Sequence, residues 1–158
     1  YEEFWKIYTK CDMTPPQYIS GDAVVDKAIL GESCEIYGEI RSSVIGSGVI
    51  IEEGAKVTNS IIMNGAVIGK GTVIDKAIIA ENVVIGSNCK IGDGVEVPNK
   101  LRPDIYAFGL ATIGEDSVVP SGVTVGRNTA ISGITDESDY PGGCLASGEN
   151  IMKAGELL

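Results

Sequence analysis

Residues 64–88 read NGAVIGKGTVIDKAIIAENVVIGSN, and a large aliphatic residue returns in this stretch at nearly constant intervals. The same mark continues on both sides, in steps of six, six and five residues that add up to a period of 17. The marks are Ile45, Ile51, Val57, Ile62, Ile68, Ile74, Ile79, Ile85 and Ile91. Blocks of that length, SSVIGSGVIIEEGAKVT, NSIIMNGAVIGKGTVID and KAIIAENVVIGSNCKIG, align without a gap. Such self-similarity indicates a repeat architecture.

Each six-residue unit has two further constant positions. Three residues after the mark stands a residue type that tolerates a left-handed backbone, namely Gly48, Gly54, Gly65, Gly71, Asn82, Asn88 or Gly94. Four residues after the mark stands a small residue, namely Val49, Ala55, Ala66, Thr72, Val83, Cys89 or Val95. We expect the mark and its small partner to face one interior while the turn starts a new side. Short strands that return to register after three sides form a parallel β-helix, so the predicted class is all-β.

Two other folds fit the pattern less well. A helix needs apolar positions at i, i+3, i+4 and i+7, and a glycine or asparagine at every sixth position would cost up to about 1 kcal/mol each. An all-β sandwich has turns every 8–12 residues and drifting spacing, whereas these blocks repeat to the residue.

Outside the coils the pattern changes, and it divides the chain into three segments. Residues 1–18 hold five of the nine aromatic residues and are predicted to be an irregular lead-in. The β-helix is predicted at 19–131, with an irregular coil and a protruding loop at about 97–112. Residues 132–158 are predicted to be a tail with a short final helix from about Ser147. Because the end coils of a repeat stack need covers, we assign that role to the lead-in and the tail.

Composition excludes several functions. The chain has a formal net charge of −10 and no basic stretch, which disfavours nucleic acid and anionic membranes as partners. Its apolar runs are too short for a membrane span. The four cysteines are scattered and there is no histidine, so no metal site is predicted and the thiols are expected to be reduced and structural. We expect a cytoplasmic protein.

Catalytic constellations do not stand out in the repeats. Hexapeptide-repeat acyltransferases use a histidine as general base and the related hydratases hold zinc on histidines, and this chain has none. The period stacks Glu53, Lys70 and Ser87 on one side of the coils, and it places Lys56 and Lys90 two coils apart with Val73 between them. Such a basic edge could hold a phosphorylated small molecule, but solvated surface charge is the preferred interpretation.

The lead-in carries a resemblance to a known family. The run WKIYTKCDMTPPQYI at 5–19, followed by SGDAVV and the hexapeptide coils, resembles the junction and C-terminal domain of bacterial glucose-1-phosphate adenylyltransferase, the ADP-glucose pyrophosphorylase of glycogen biosynthesis. The tail GITDESDYPGGCLASGE at 133–149 is similar to the same family. The likeness covers essentially the whole chain, and the junction is its most specific part.

The resemblance implies a left-handed β-helix that has no catalytic residues of its own. Catalysis in the family belongs to an N-terminal nucleotidyltransferase domain, which is where Mg²⁺ and ATP are expected to bind, so this chain looks like a non-catalytic assembly and allosteric domain. The implied partners are that catalytic domain, further copies in a homo-oligomer (a tetramer in the family) and a phosphorylated effector. The implied effector-binding residues are Lys70, Lys76 and Lys153.

Two alternatives stay open at this point. One is a hexapeptide-repeat acyltransferase with an unusual base, which would consume a CoA thioester. The other is the C-terminal domain of a different sugar-phosphate nucleotidyltransferase, such as a mannose-1-phosphate guanylyltransferase.

Overall fold

A computed structural model describes Phe4 and residues 14–153 of the chain. Its regular structure there consists of strands two to four residues long and two 3₁₀ turns, Glu137–Asp139 and Pro141–Gly143. The strands in chain order are β1 (Tyr18–Ile19), β2 (Val24–Asp26), β3 (Ile29–Leu30), β4 (Glu35–Ile36), β5 (Glu39–Arg41), β6 (Val44–Ile45), β7 (Ile50–Ile51), β8 (Lys56–Thr58), β9 (Ile61–Ile62), β10 (Val67–Ile68), β11 (Val73–Asp75), β12 (Ala77–Ile79), β13 (Val84–Ile85), β14 (Lys90–Asp93), β15 (Ala111–Ile113), β16 (Val118–Val119), β17 (Thr124–Gly126), β18 (Thr129–Ser132), β19 (Cys144–Leu145) and β20 (Asn150–Met152).

These strands form three parallel sheets, which are the three sides of one coil stack. Face 1 contains β1, β4, β7, β10, β13 and β16; face 2 contains β2, β5, β8, β11, β14, β17 and β19; face 3 contains β3, β6, β9, β12, β15, β18 and β20. Ile68 pairs with Ile51 on one side and Ile85 on the other, each 17 residues away. The fold is therefore a three-sided parallel β-helix, as the period predicts, and it fits the left-handed form that the resemblance implies.

The interior is a column of isoleucines. The largest fully buried side chains are Ile36, Ile40, Ile45, Ile51, Ile62, Ile68, Ile74, Ile79, Ile85, Ile91, Ile113 and Ile131. The small residues beside them are buried as well, including Val49, Ala55, Ala66, Thr72, Val83 and Cys89. This confirms that mark and small partner share one interior. Burial of one such isoleucine contributes roughly 1.5–3 kcal/mol, so the column supplies most of the stabilisation.

The faces meet at three corners, called corner 1–2, corner 2–3 and corner 3–1 after the faces they join. At corners 1–2 and 3–1 the predicted turn residues have positive φ, as Gly71 (66°) and Asn82 (56°) show. Corner 2–3 is the five-residue step, and its single turn residue is rarely glycine. Four such residues have φ between 49° and 51°, namely Lys27, Ser42, Asn59 and Lys76. A lysine in this conformation is uncommon, which draws attention to Lys76.

The second coil is shorter than the others. Its inward residues Ile36 and Ile40 are four residues apart, so Tyr37 and Gly38 alone form corner 1–2 there. The turn of the next coil fills the missing space, and the amide of Glu39 donates to the carbonyl oxygen of Ala55 at 2.8 Å. A Cβ at Gly38 would lie 2.4 Å from that oxygen, so only glycine fits.

The predicted irregular coil at about 97–112 is instead a loop that leaves the stack. Ile79 pairs directly with Ile113, although 34 residues separate them. One coil accounts for 17 of these residues, and the remainder, 94–110, forms the loop between β14 and β15. Pairing across the gap keeps the isoleucine column continuous, which a seventeen-residue coil with the sequence GVEVPNKLRPDIYAFGL at 94–110 could not do.

The stack also continues beyond the predicted end at residue 131. Strands β19 and β20 extend faces 2 and 3, so the short helix predicted from about Ser147 is wrong at Asn150–Met152. Residues 133–143 replace a face 1 strand in this last coil. Their Tyr140 is only 5% exposed and packs on the core, with its hydroxyl 3.1 Å from that of Thr135. Most of the lead-in lies outside the described residues, and the division into three segments stays a prediction.

We expect the isoleucine column to tolerate no charge. The substitution Ile68→Asp places an unpaired carboxylate at a position with 0% exposure, and we expect it to lower the free energy of unfolding by more than about 4 kcal/mol or to prevent folding. Urea unfolding followed by circular dichroism measures the effect. The control is Val84→Asp on the outer side of face 1, where the side chain is 41% exposed and the change should cost less than about 1 kcal/mol. Equal losses in the two variants would contradict the assignment of inward and outward positions.

Candidate functional site

The three lysines implied by the resemblance lie at different places on the stack. Lys70 is on corner 1–2 and Lys76 on corner 2–3, at the two ends of β11. Lys153 follows β20 at the C-terminal end of the described chain. The structure therefore does not gather the three into one site.

Two of these lysines already have carboxylate partners. The Nζ of Lys70 is 3.1 Å from Glu53, which is the stacking that the 17-residue period predicts. The Nζ of Lys153 is 2.6 Å from Asp139 and 3.2 Å from Asp136. Hydrogen bonding to Asp139 raises the pKa of Lys153, and hydrogen bonds from Ser138, with Lys153 adding to them, lower the pKa of Asp136 to about 2. Lys153 thus fastens the turn at 136–139, which is a structural role.

Lys76 differs from both. Among residues 14–153 it has no ion pair within 4 Å, and its side chain is partly exposed. Its backbone carbonyl accepts a hydrogen bond from the amide of Ala111 at 3.0 Å, the residue at which the loop 94–110 rejoins the stack. Lys76 is therefore a cation held at the base of the loop.

A cleft opens on face 2 beside this loop. It has a volume of about 300 Å³ and is lined by Val73, Asp75, Lys90, Ile91, Gly92, Asp93 and Arg127. Lys90 comes from β14, as the stacking of Lys56, Val73 and Lys90 predicts, and Arg127 comes from corner 2–3 of the following coil. We refer to this group of residues as the face 2 cleft.

The cleft exists because β14 bulges where the loop departs. The register with β17 shifts between Ile91 and Asp93, and Gly92 lies between them with a φ of 78°. A Cβ on Gly92 would sit 1.9 Å from the carbonyl oxygen of Asp75, so the bulge requires glycine. Bulges commonly redirect a strand beside a site, and this one sends the chain outward.

The outward path of the loop lets Arg127 reach Asp75 across the coil between them. Nη2 of Arg127 lies 3.5 Å from Asp75 Oδ2, and the arginine side chain is 25% exposed. Its Nε atom is buried and has no hydrogen-bond partner among the described residues. A buried guanidinium nitrogen without a partner is costly, and Arg127 therefore brings a buried, unused donor to the edge of the cleft.

The chemistry of the cleft is that of a mixed, partly neutralised charge cluster. Lys90 and Arg127 face Asp75 and Asp93, and Lys76 stands at the adjoining corner. The planar guanidinium fork is suited to phosphate or carboxylate oxygens, while lysine supplies a mobile point charge. The arrangement can bind a small anionic group and offers no evident nucleophile.

Three asparagines hold the loop in place. Asn128 receives a hydrogen bond from the amide of Gly109 at 2.7 Å and donates to the carbonyl of Val97 at 2.8 Å. Asn99 donates to the carbonyl of Asn128 and to the side chain of Asn150, at 2.7 and 2.8 Å. The pattern of glycine and asparagine at turns did not reveal this role, because Asn128 also serves as a turn residue with a φ of 53°.

Other chemistry is limited in the part of the chain that the structure describes. Cys34 and Cys89 are buried at small inward positions, as predicted, and Cys144 is exposed and free. Residues 14–153 hold no cluster of three or more histidine, cysteine, aspartate or glutamate side chains placed to bind a metal ion. No helix within this region is long and apolar enough to cross a membrane.

Regular corners, an isoleucine interior and parallel three-strand coils define a hexapeptide-repeat β-helix protein. Residues 17–102 match the family model described as "GlmU-like, C-terminal hexapeptide", and the chain belongs to this family.

The curated relatives are longer proteins. Glucose-1-phosphate adenylyltransferase of Lachnospira eligens is 57% identical over 99% of this chain, and that of Acetivibrio thermocellus is 39% identical over the same share. This chain spans 37% of the length of each. A crystal structure named as a proposed acetyltransferase from Desulfovibrio desulfuricans G20 superposes over 89% of this chain and 27% of its own, with a TM-score of 0.59 and 17% identity. That likeness shows the fold alone.

We expect Asn128→Gly to release the loop while leaving the stack folded. Glycine keeps the positive φ but loses the two side-chain hydrogen bonds, each worth about 1 kcal/mol. Hydrogen exchange of the amides at 94–110, followed by mass spectrometry, should therefore accelerate about tenfold or more. The control is Asn82→Gly, a turn residue with a φ of 56° whose amide bonds only to exposed Asp116. Unchanged exchange in Asn128→Gly would show that the asparagine does not anchor the loop.

Proposed function

We propose that this chain is the non-catalytic C-terminal assembly and allosteric domain of a glucose-1-phosphate adenylyltransferase. The parent enzyme would convert ATP and glucose 1-phosphate into ADP-glucose and pyrophosphate in the cytoplasm, for glycogen biosynthesis. The observation that carries the proposal is the 57% identity to a protein of that name over 99% of this chain and only 37% of the relative. The junction at 5–19 lies within that alignment and is the most specific part of the resemblance.

The proposed partners follow from this reading. A nucleotidyltransferase domain would supply the sites for ATP and Mg²⁺ and would pack against the β-helix. Further copies of the chain would associate with it to form a tetramer. The stack contributes a stiff body for such packing, because its coils are hydrogen-bonded to their neighbours on all three faces as far as β16, and on faces 2 and 3 in the last coil.

The proposed effector is a phosphorylated small molecule, and the face 2 cleft is its best-supported position. Of the three lysines implied by the resemblance, Lys76 adjoins the cleft, whereas Lys70 and Lys153 would have to exchange existing carboxylate partners. Lys90 and Arg127 join the candidate set, since both line the cleft and Arg127 has an unused donor. An anion there would pair with the partly exposed guanidinium of Arg127 and balance Lys76, which has no ion pair among the described residues.

The activity proposed for the parent predicts an inactive isolated domain. Incubation of the purified chain with ATP, Mg²⁺ and glucose 1-phosphate should release no pyrophosphate, measured by a coupled phosphate assay. The parent enzyme, run in parallel, should do so at its normal rate. Turnover by the isolated chain would contradict the proposal, and so would consumption of acetyl-CoA with simple alcohol or amine acceptors, which would favour the acyltransferase alternative.

Charge changes around the cleft should alter regulation of the parent enzyme. We expect Lys76→Glu and Arg127→Gln to raise the concentration of sugar bisphosphate needed for half-maximal response about tenfold, which corresponds to about 1.4 kcal/mol. Lys70→Glu should have a smaller effect, because Lys70 is paired with Glu53. The matched control is Lys56→Glu, on the same face but paired with Glu39 at 3.6 Å. If the activity of the first two variants depended on effector concentration as in the wild type, the residues of the cleft would be ordinary surface charges and not an effector site.

A further inference from the structure

Face 3 carries an apolar strip on its outer side. The outward residues of its first four strands are Ile29, Val44, Ile61 and Ile78, which follow one another in direct register. Ile29, Val44 and Ile61 are 68%, 42% and 43% exposed. A row of large β-branched side chains on a flat surface is the kind of patch that commonly marks an interaction site.

The two edges of this strip carry opposite charges. Corner 2–3 presents Lys27 and Lys76 along it, and neither has an ion pair among the described residues. Corner 3–1 presents Glu81, Glu115 and Asp116, none of which has an ion pair among the described residues, and the carboxylates of Glu81 and Asp116 accept hydrogen bonds from Asn64 and Asn82. The strip is thus apolar in the middle, basic on one side and acidic on the other.

The other faces lack this layout. Face 1 also has apolar outward residues, such as Val84 and Val118, but acidic residues predominate on both of its edges, and Lys70 on corner 1–2 is already paired with Glu53. Two copies facing each other there would oppose like charges. Face 2 carries Arg41 and Lys56, which already bind Glu39. Among the three faces formed by residues 14–153, face 3 is the one that combines an apolar strip with one basic and one acidic edge, so that two copies can pair opposite charges.

We propose that face 3 is the surface on which a second copy of this chain docks, with the coil axes of the two copies parallel. A two-fold axis parallel to the coil axis places corner 2–3 of one copy opposite corner 3–1 of the other. It also keeps each coil at the same height as the equivalent coil of the second copy. Lys76 and Glu81 flank the same strand, β12, so Lys76 of each copy then faces Glu81 of the other. The reverse orientation, with antiparallel coil axes, would oppose the basic edges to each other and the acidic edges to each other.

The strip is short, which sets the strength expected of the contact. Four strands at a spacing of about 4.8 Å extend the apolar row over about 14 Å, a row too short to bury the roughly 800 Å² per partner of a standard interface. Association of this chain through face 3 alone is therefore weak and needs high protein concentration. The inference deepens the assembly role proposed above and does not depend on the activity of the parent enzyme.

A charge-swap series tests the pairing. Sedimentation equilibrium of the wild-type chain at up to millimolar concentration should show a monomer–dimer equilibrium. Lys76→Glu and Glu81→Lys should each weaken the dimer at least tenfold, and the double variant should recover most of the loss. A wild-type chain that stays monomeric would overturn the assembly role itself for this domain. A dimer, or a trimer, that neither single variant weakens would overturn only the assignment to face 3.

Disulfide cross-linking tests the orientation. In a background with Cys11 and Cys144 changed to serine, Ile29→Cys should form a disulfide-linked dimer on mild oxidation, because parallel axes bring the two residues 29 together. Antiparallel axes would place residue 29 opposite residue 78, about 14 Å from its counterpart and beyond the reach of a disulfide. Val73→Cys, 43% exposed on face 2, is the control and should remain monomeric. Cross-linking of the control at the same rate, or none in Ile29→Cys, would overturn the proposal.

Discussion

The structure depends on one constraint, which is that an aliphatic side chain must enter a narrow interior on each side of every coil. The isoleucine column satisfies it, and the rest of the chain adapts to it. Corners take residues that accept a positive φ so that the next mark can point inward. Where the chain cannot meet the constraint, as at 94–110, it leaves the stack and lets Ile79 pair directly with Ile113.

The same constraint explains which features could be predicted from the sequence. Each aliphatic mark must be buried, so steps of six, six and five residues predict where the strands lie, which face each belongs to and which residues are inside. Three steps per period predict a three-sided coil. The period did not predict the short second coil, because Tyr37 and Gly38 take the place of a four-residue corner. The protruding loop was predicted, but the direct pairing of Ile79 with Ile113 and the two strands after residue 143 were not, because they depend on which distant strands pair and spacing alone does not record pairing.

Site prediction was limited for a related reason. The period correctly placed Lys70 above Glu53 and Lys56 and Lys90 around Val73, since these are neighbours in register. It could not find Arg127, whose contact with Asp75 spans two coils and exists only because the loop has moved out of the way. Lys153 was implied by resemblance, but its two aspartate partners come from a turn that no repeat describes. The fold nonetheless determines the arrangement of the surface, because outward residues of successive strands line up on each flat face and form separate apolar and charged strips.

The shortened second coil has a consequence for how the chain finds its register. Because the coils are nearly identical and their isoleucines interchangeable, a strand could in principle pair with a coil one level away from its native partner. A slip of that kind would set the four-residue step from Ile36 to Ile40 against a full-length neighbour, and Gly38 would lose the carbonyl groups that now close over it. The shortened coil therefore marks one level of an otherwise repetitive stack. Stacks with a shifted strand register are less stable than the native one for this reason.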